Sequence, residues 1–133
     1  MKNACVLLIE DDKFLRKACE VGLKKRGLTI LTAADGEEGL QQARANRPQL
    51  ILLDMLMPKL SGLETLEELK KDETTRGIPV VILSNSIDSK VQKATALGAA
   101  GYLVKASLSL QELGDKVIAF LEEAPSITTG TPQ

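Results

Sequence analysis

The strongest constraint on the fold is a set of short aliphatic runs, each of which ends in a charged or polar residue. The clearest run is Leu50-Ile51-Leu52-Leu53, which follows Pro48 and ends at Asp54. Four successive aliphatic residues indicate a strand buried on both faces, as in a parallel sheet that helices cover on either side. Such sheets bind ligands at the carboxyl ends of their strands, so Asp54 is predicted to face a crevice. A lone aspartate at this position more often simply opens the following loop.

Strand and helix patterns alternate about five times along the chain. Apolar residues recur at three- and four-residue spacing between the strand patterns, as in amphipathic helices. This alternation implies parallel strands joined by right-handed helical crossovers, with helices on both faces. A chain of 133 residues is long enough for one such domain. We assign residues 1–124 to it and predict a disordered tail at 125–133, which is rich in Thr, Pro and Gly. The strands are predicted at residues 4–9, 29–33, 50–53, 80–83 and 101–104.

The helix patterns also predict which side chains face the core. Phe14 falls on the apolar face of the first helix and Arg16 on its charged face, while Leu110 falls on the inner face of the last helix. Ser61 and Glu64 are spaced as a capping box at the start of the third helix.

Composition excludes several classes of function. The formal net charge is -1, and the chain has one Tyr, two Phe and no Trp, so it lacks the positive charge and the aromatic platform typical of nucleic-acid binding. Cys5 and Cys19 are far apart and no histidine is present, which leaves no zinc ligand set and predicts reduced thiols. Because no signal-peptide pattern or membrane-length apolar run occurs, we expect a cytoplasmic protein that contacts neither membrane nor nucleic acid.

The predicted strand ends place polar residues from distant parts of the chain at one edge of the sheet. Glu10 and Asp11 follow the first strand, Asp54 the third, Ser84 the fourth and Lys105 the fifth. Carboxylates that share a pocket need a compensating cation or shifted protonation at neutral pH, and oxygen ligands in an open, hydrated site favour Mg²⁺. A lysine and a hydroxyl beside such a site would bind an anion, which suits phosphoryl transfer with Asp54 as the nucleophile.

Each of these residues also has an ordinary explanation. Glu10, Asp11 and Asp12 could form a solvated loop whose carboxylates cap the next helix, because acidic residues favour helix N-termini. Ser84 could bond to nearby backbone, and Lys105 could be a surface charge. The functional interpretation depends on all of them falling at the same edge.

The sequence around these residues resembles the response-regulator receiver domain, the phosphoacceptor module of two-component signalling. The resemblance covers residues 4–123 and implies an α/β, flavodoxin-like fold, a doubly wound five-stranded parallel sheet of order 2-1-3-4-5 with five helices. The matching motifs are Leu-Ile-Glu-Asp-Asp at 8–12, Leu-Leu-Asp-Met-Leu-Met-Pro at 52–58, Ile-Leu-Ser at 82–84 and Gly-Ala-Ala-Gly-Tyr-Leu-Val-Lys at 98–105.

The resemblance also implies a mechanism. Asp54 would take a phosphoryl group from the phosphohistidine of a sensor histidine kinase or a histidine phosphotransfer protein, and Ser84 and Lys105 would contact the phosphoryl oxygens. The protein would catalyse only its own phosphorylation and dephosphorylation, and would not otherwise be an enzyme. The implied Mg²⁺ ligands are Asp11, Asp54, the backbone carbonyl of Leu56, and Glu10 through water.

A conformational switch is implied as well. Ser84 would move toward the new phosphoryl group and Tyr102, on the fifth strand, would move inward to fill the vacated space. This local change would alter the surface of the fourth helix, fifth strand and fifth helix, which a downstream protein would read. We expect a monomer or a weak dimer.

Two positions depart from the family pattern. Ala106 follows Lys105 where the family has a proline in a cis bond, and a cis bond to a non-proline residue costs roughly 2.5 to 4 kcal/mol. A trans bond here would aim Lys105 differently. Asn85 stands where a smaller residue is usual, and its amide would either narrow access to the phosphoryl group or hydrogen-bond to it.

Other functions stay open. A degenerate receiver would take no phosphate and act as a constitutive protein-interaction module, which Ala106 favours and the intact acidic and lysine set opposes. An aspartate-nucleophile phosphatase would place an acid/base aspartate two residues after the nucleophile, where this chain has Leu56. A flavin-binding module would need a phosphate loop after the first strand, and none is present.

Overall fold

A computed structural model describes residues 4–55, 57, 60–85, 88–105 and 108–123. Within these ranges, five strands form one parallel sheet of order β2-β1-β3-β4-β5, which confirms the predicted doubly wound architecture. The predicted tail at residues 125–133 lies outside the described residues. The elements, in chain order, are β1 Cys5–Ile9, α1 Lys13–Lys24, β2 Thr29–Ala33, α2 Gly36–Asn46, β3 Leu50–Asp54, α3 Gly62–Lys71, β4 Val80–Ser84, α4 Ser89–Ala96, β5 Gly101–Val104 and α5 Leu110–Glu123.

The aliphatic runs are buried because helices cover both faces of the sheet. Every residue of β3 and β4 is buried. Successive strand side chains point to opposite faces, so the neighbours Leu52 and Leu53 belong to two different cores. The core that contains Leu52 is closed by α1 and α5, and the core that contains Leu53 by α2, α3 and α4.

Two predicted core positions are wrong, and both lie on the α1/α5 side. Phe14 is 85% exposed and Leu110 is 46% exposed. In α1 the buried residues are Cys19 and Leu23, on a stripe one residue further round the helix than Phe14. Both stripes have helical spacing, so the periodicity predicted an apolar face but did not fix which stripe meets the sheet.

Local signals at the helix ends agree with the sequence. The capping box of α3 is confirmed, since the Glu64 amide donates to Ser61 Oγ at 3.2 Å and the Ser61 amide donates to Glu64 Oε1 at 2.9 Å. Gly27 and Gly98 follow α1 and α4 with φ of 86° and 107°, a conformation that side chains with a Cβ rarely adopt.

The strand register aligns the carboxyl ends of the central strands. Glu10 follows Ile9, whose partner Leu53 precedes Asp54, so these two acidic residues are level across β1 and β3. Asp54 is paired with Leu83, and Ser84, the next residue, is paired with the residue before Lys105. The sheet therefore delivers all these residues to one edge.

Candidate functional site

The carboxyl edge of the sheet holds a cluster of three carboxylates. One carboxylate oxygen from each of Glu10, Asp11 and Asp54 lies within 4.8 Å of the others. Glu10 and Asp54 are 1% and 4% exposed, whereas Asp11 is exposed. The cluster is therefore walled by the protein on one side and open to solvent on the other.

Lys105 bridges the two buried carboxylates. Its Nζ lies 2.9 Å from Asp54 Oδ1 and 2.9 Å from Glu10 Oε1. Burial alone would lower the pKa of Lys105, but the contacts with Asp54 and Glu10 outweigh burial and raise it. The side chain of Lys105 is therefore a cation at neutral pH, with a charge placed between the two acids.

Asp54 is the most perturbed acid of the cluster. The pKa of Asp54 is raised to about 7, mainly because the group is buried and also because Glu10 and Asp11 lie nearby, and the hydrogen bond and charge of Lys105 only partly offset the rise. Desolvation disfavours the carboxylate more than one lysine favours it. A cation at the cluster would shift Asp54 toward its ionised form, because opposite charge favours the charged state.

The donor set of the cluster fits a hard divalent cation. Glu10 Oε2 accepts a hydrogen bond from the Asp12 amide at 3.1 Å. Glu10 Oε1 is buried and, apart from its ion pair with Lys105, has no hydrogen-bond donor of good geometry in the described part of the chain. An under-satisfied buried oxygen beside two further carboxylates supplies the oxygen-only ligands that Mg²⁺ prefers.

A cavity of about 460 Å³ opens above the cluster. Asn85 is exposed at its rim, and Lys105 and Asp54 line it. Ser84 is buried at the end of β4, and Tyr102 lies on β5 with 41% of its surface exposed. Leu56, whose carbonyl is the Mg²⁺ ligand implied by the family resemblance, and Ala106, the departure after Lys105, both lie outside the described residues.

Arg16 is not turned outward as predicted. It is half-buried, and its Nη1 donates to the carbonyl oxygens of Glu10 and Asp11 at 2.9 and 3.3 Å. The spacing could have predicted this contact, because a long side chain at the end of the first turn of a helix can reach back over the preceding loop. The charged pattern around Arg16 instead suggested a solvated face.

The two cysteines are not members of the acidic cluster. Cys5 and Cys19 are free thiols, in agreement with the predicted reduced state. The pKa of Cys19 is raised to about 11, mainly by burial and also by the nearby Glu10, while Lys105 opposes the rise. The Cys19 thiol is therefore protonated and a poor nucleophile.

Fold and site together define a class of protein. A flavodoxin-like sheet with three clustered acids and a lysine at its carboxyl edge is the architecture of a phosphoacceptor signalling domain. The model of the response regulator receiver domain family matches residues 6–118. The chain belongs to this family, whose members receive phosphoryl groups in two-component signalling, bind Mg²⁺, and have histidine kinases and downstream targets as partners.

Relatives of known name support this assignment. The transcriptional regulatory protein AfsQ1 of Streptomyces coelicolor is 38% identical over 101 residues, which cover 75% of this chain and 44% of AfsQ1. The transcriptional regulatory protein PrrA of Mycobacterium tuberculosis is 37% identical over 130 residues, which cover 96% of this chain and 54% of PrrA. The chain thus spans about half the length of the curated relatives it matches.

Solved structures show the same fold. The chemotaxis protein CheY4 of Vibrio cholerae superposes with a TM-score of 0.82 at 29% identity, covering 88% of this chain and 98% of CheY4. The receiver domain of a LuxO repressor protein of Vibrio parahaemolyticus gives a TM-score of 0.86 at 23% identity, covering 98% of this chain and 99% of that domain, and bears on the fold alone. In the described ranges, no helix has both the length and the apolar character needed to cross a bilayer.

Proposed function

We propose that Asp54 is the phosphoacceptor and that its phosphoryl group comes from a phosphohistidine on a sensor histidine kinase or a histidine phosphotransfer protein. The observation that carries the proposal is the 2.9 Å contact between Lys105 Nζ and Asp54 Oδ1 inside the acidic cluster. We assign the activity to residues 1–124 of a cytoplasmic protein that acts as a monomer or a weak dimer. The chain turns over no separate metabolite, since the acceptor is its own side chain.

The proposed reaction is an in-line displacement at phosphorus. A carboxylate oxygen of Asp54 attacks, the phosphorus–nitrogen bond to the donor imidazole breaks, and the imidazole leaves with the electron pair of that bond and takes a proton. The product is an acyl phosphate on Asp54. Lys105 and the Ser84 hydroxyl would contact the phosphoryl oxygens, and the burial of Asp54 would keep bulk water from the carboxylate.

The acidic cluster would hold Mg²⁺ for this reaction. Asp11 and Asp54 would be direct ligands and Glu10 a ligand through water, with the Leu56 carbonyl completing the set. The ion supplies positive charge that neutralises the phosphoryl oxygens as the bond to phosphorus forms. The exposure of Asp11 supports this assignment, because Mg²⁺ usually keeps several waters.

Ser84 and Tyr102 would convert the new charge into a change of surface. Ser84 is buried at the site, and Tyr102 is on the adjacent strand, paired with Ile82. We propose that the phosphoryl group draws the Ser84 hydroxyl toward it and that Tyr102 moves inward from its present exposed position. The α4/β5/α5 surface would then be read by a downstream protein.

The exposed apolar surface of α1 and α5 supports a role in contacting the donor protein. Phe14, Val21 and Leu110 are 85%, 42% and 46% exposed and line one groove of about 620 Å³. Phe14 is two residues beyond the N-cap Asp12, which lines the cavity above the acidic cluster. A donor that presents a histidine to Asp54 would cover this surface, and we assign the groove to it.

A direct experiment tests the proposal. The protein is incubated with acetyl phosphate and Mg²⁺, and intact mass is measured for the wild type, Asp54→Asn and Asp115→Asn, the last removing one exposed carboxylate from α5. We expect a single phosphoryl adduct in the wild type and in Asp115→Asn, its loss in Asp54→Asn, and its loss when EDTA replaces Mg²⁺.

Two other outcomes would contradict the proposed function. No adduct in the wild type would show a degenerate receiver that works through constitutive contacts. Steady release of phosphate from general phosphoesters would show a phosphatase.

A further inference from the structure

The loop between β1 and α1 carries two of the three clustered acids, and one side chain from α1 holds its backbone. Glu10 and Asp11 follow the last residue of β1, and the Arg16 guanidinium donates to both of their carbonyl oxygens, at 2.9 and 3.3 Å. Arg16 is itself fixed at the end of the first turn of α1, where its amide donates to the Asp12 carbonyl at 2.8 Å. The loop and the helix are therefore tied by one charged group.

The hydrogen bonds from Arg16 help to orient the carboxylate side chains of Glu10 and Asp11. Each peptide unit is planar, so a side chain's starting direction is fixed when the units on both sides of its Cα are held. Asp11 lies between the two units whose carbonyls Arg16 binds, and Glu10 lies between one of them and the unit whose amide donates to the Ala33 carbonyl at 3.0 Å. Three carboxylates within 4.8 Å repel one another, and the loop would relax by turning the exposed Asp11 away into water. The guanidinium opposes that relaxation from the backbone side.

We propose that Arg16 is a positioning residue for the divalent cation, a role that rests on the proposed function of the acidic cluster. By holding the Glu10 and Asp11 carbonyls it keeps both carboxylates at the spacing that one ion can bridge. Groups that orient metal ligands without touching the metal typically change affinity by 10- to 100-fold when they are removed.

A purely electrostatic role for Arg16 predicts the opposite change in cation affinity. Removing a positive charge near a cation site lessens repulsion and tightens cation binding. Loss of positioning weakens binding. A third role, purely structural, would lower the melting temperature and leave the affinity of the folded protein unchanged.

The test is a Mg²⁺ titration of the full chain, followed by backbone amide NMR shifts because the chain has no tryptophan. Arg16→Met is compared with the wild type and with Lys17→Met, which removes one charge from the next, exposed position. We expect Mg²⁺ binding to weaken about tenfold in Arg16→Met and to change less than about twofold in Lys17→Met. Thermal unfolding fixes the temperature at which each variant is fully folded.

Arg16→Lys keeps the test decisive if Arg16→Met does not fold. The lysine retains the charge but its amine is one bond closer to the backbone, so it cannot hold both carbonyls in the same way. We expect weaker Mg²⁺ binding in Arg16→Lys, where electrostatics predicts no change. Unchanged or tighter binding in the folded variants would overturn the positioning role alone, whereas a wild type that binds no Mg²⁺ would overturn the proposed cation site with it.

Discussion

The buried carboxyl group of Asp54 should make the cation-free protein less stable as the pH rises. The folded-state pKa is raised to about 7, chiefly by burial, and the unfolded chain has an ordinary value of about 3.9. A raised folded pKa stabilises the fold below the ordinary value, and that stabilisation is lost as the pH rises through the folded value. Asp54→Asn removes the ionisable group, so the variant should not lose stability in this way as the pH rises.

The size of the change in unfolding free energy follows from the pKa shift of Asp54. A difference of about three pKa units corresponds to about 4 kcal/mol over the full range. Between pH 5 and pH 8 the unfolded carboxyl is already largely ionised at the start, so the change within that window is about 2 to 3 kcal/mol. The free energy of unfolding of Asp54→Asn, relative to the wild type, should rise by up to this amount.

The assay is urea unfolding followed by circular dichroism in EDTA at pH 5, 6, 7 and 8. Glu122→Gln, an exposed residue of α5, controls for the loss of one negative charge. Adding Mg²⁺ to the wild type at pH 8 should restore much of the difference, because the ion replaces the missing proton. A stability difference between Asp54→Asn and the wild type that stays constant across this pH range would refute the assignment of a raised pKa to Asp54.

Three further predictions address the groove, the core and a helix cap. Phe14→Ala should leave the melting temperature within about 2 °C, because the ring is exposed, yet slow phosphotransfer from a histidine donor while labelling by acetyl phosphate stays unchanged; slowing in both assays would argue against a docking role. Leu52→Ala, at a fully buried site, should cost about 2 to 5 kcal/mol in urea unfolding, against under about 1 for the partly exposed Leu97→Ala. Ser61→Ala should cost about 1 kcal/mol by removing the acceptor for the Glu64 amide, and an unchanged unfolding midpoint would show that the capping box contributes nothing.

Local sequence patterns determined most of the architecture. The aliphatic runs predicted the five strands. The acidic, hydroxyl and amine groups that follow them predicted the edge of the sheet at which Glu10, Asp54 and Lys105 meet. The Ser61–Glu64 spacing gave a helix start. Each of these signals depends on residues close together in the chain, or on the rule that parallel strands share one carboxyl edge. The sequence alone therefore determines these features.

Packing decided what those patterns left open. The first helix has two apolar stripes, and only its rotation against the sheet shows that Cys19 is buried and Phe14 exposed. The burial that raises the pKa of Asp54, and the reach of Arg16 back to the Glu10 carbonyl, depend on how α1, β1 and β3 sit together. Periodicity fixes the spacing of side chains along an element, but the direction each one takes, and the dielectric it meets, come from elements distant in sequence that pack against it.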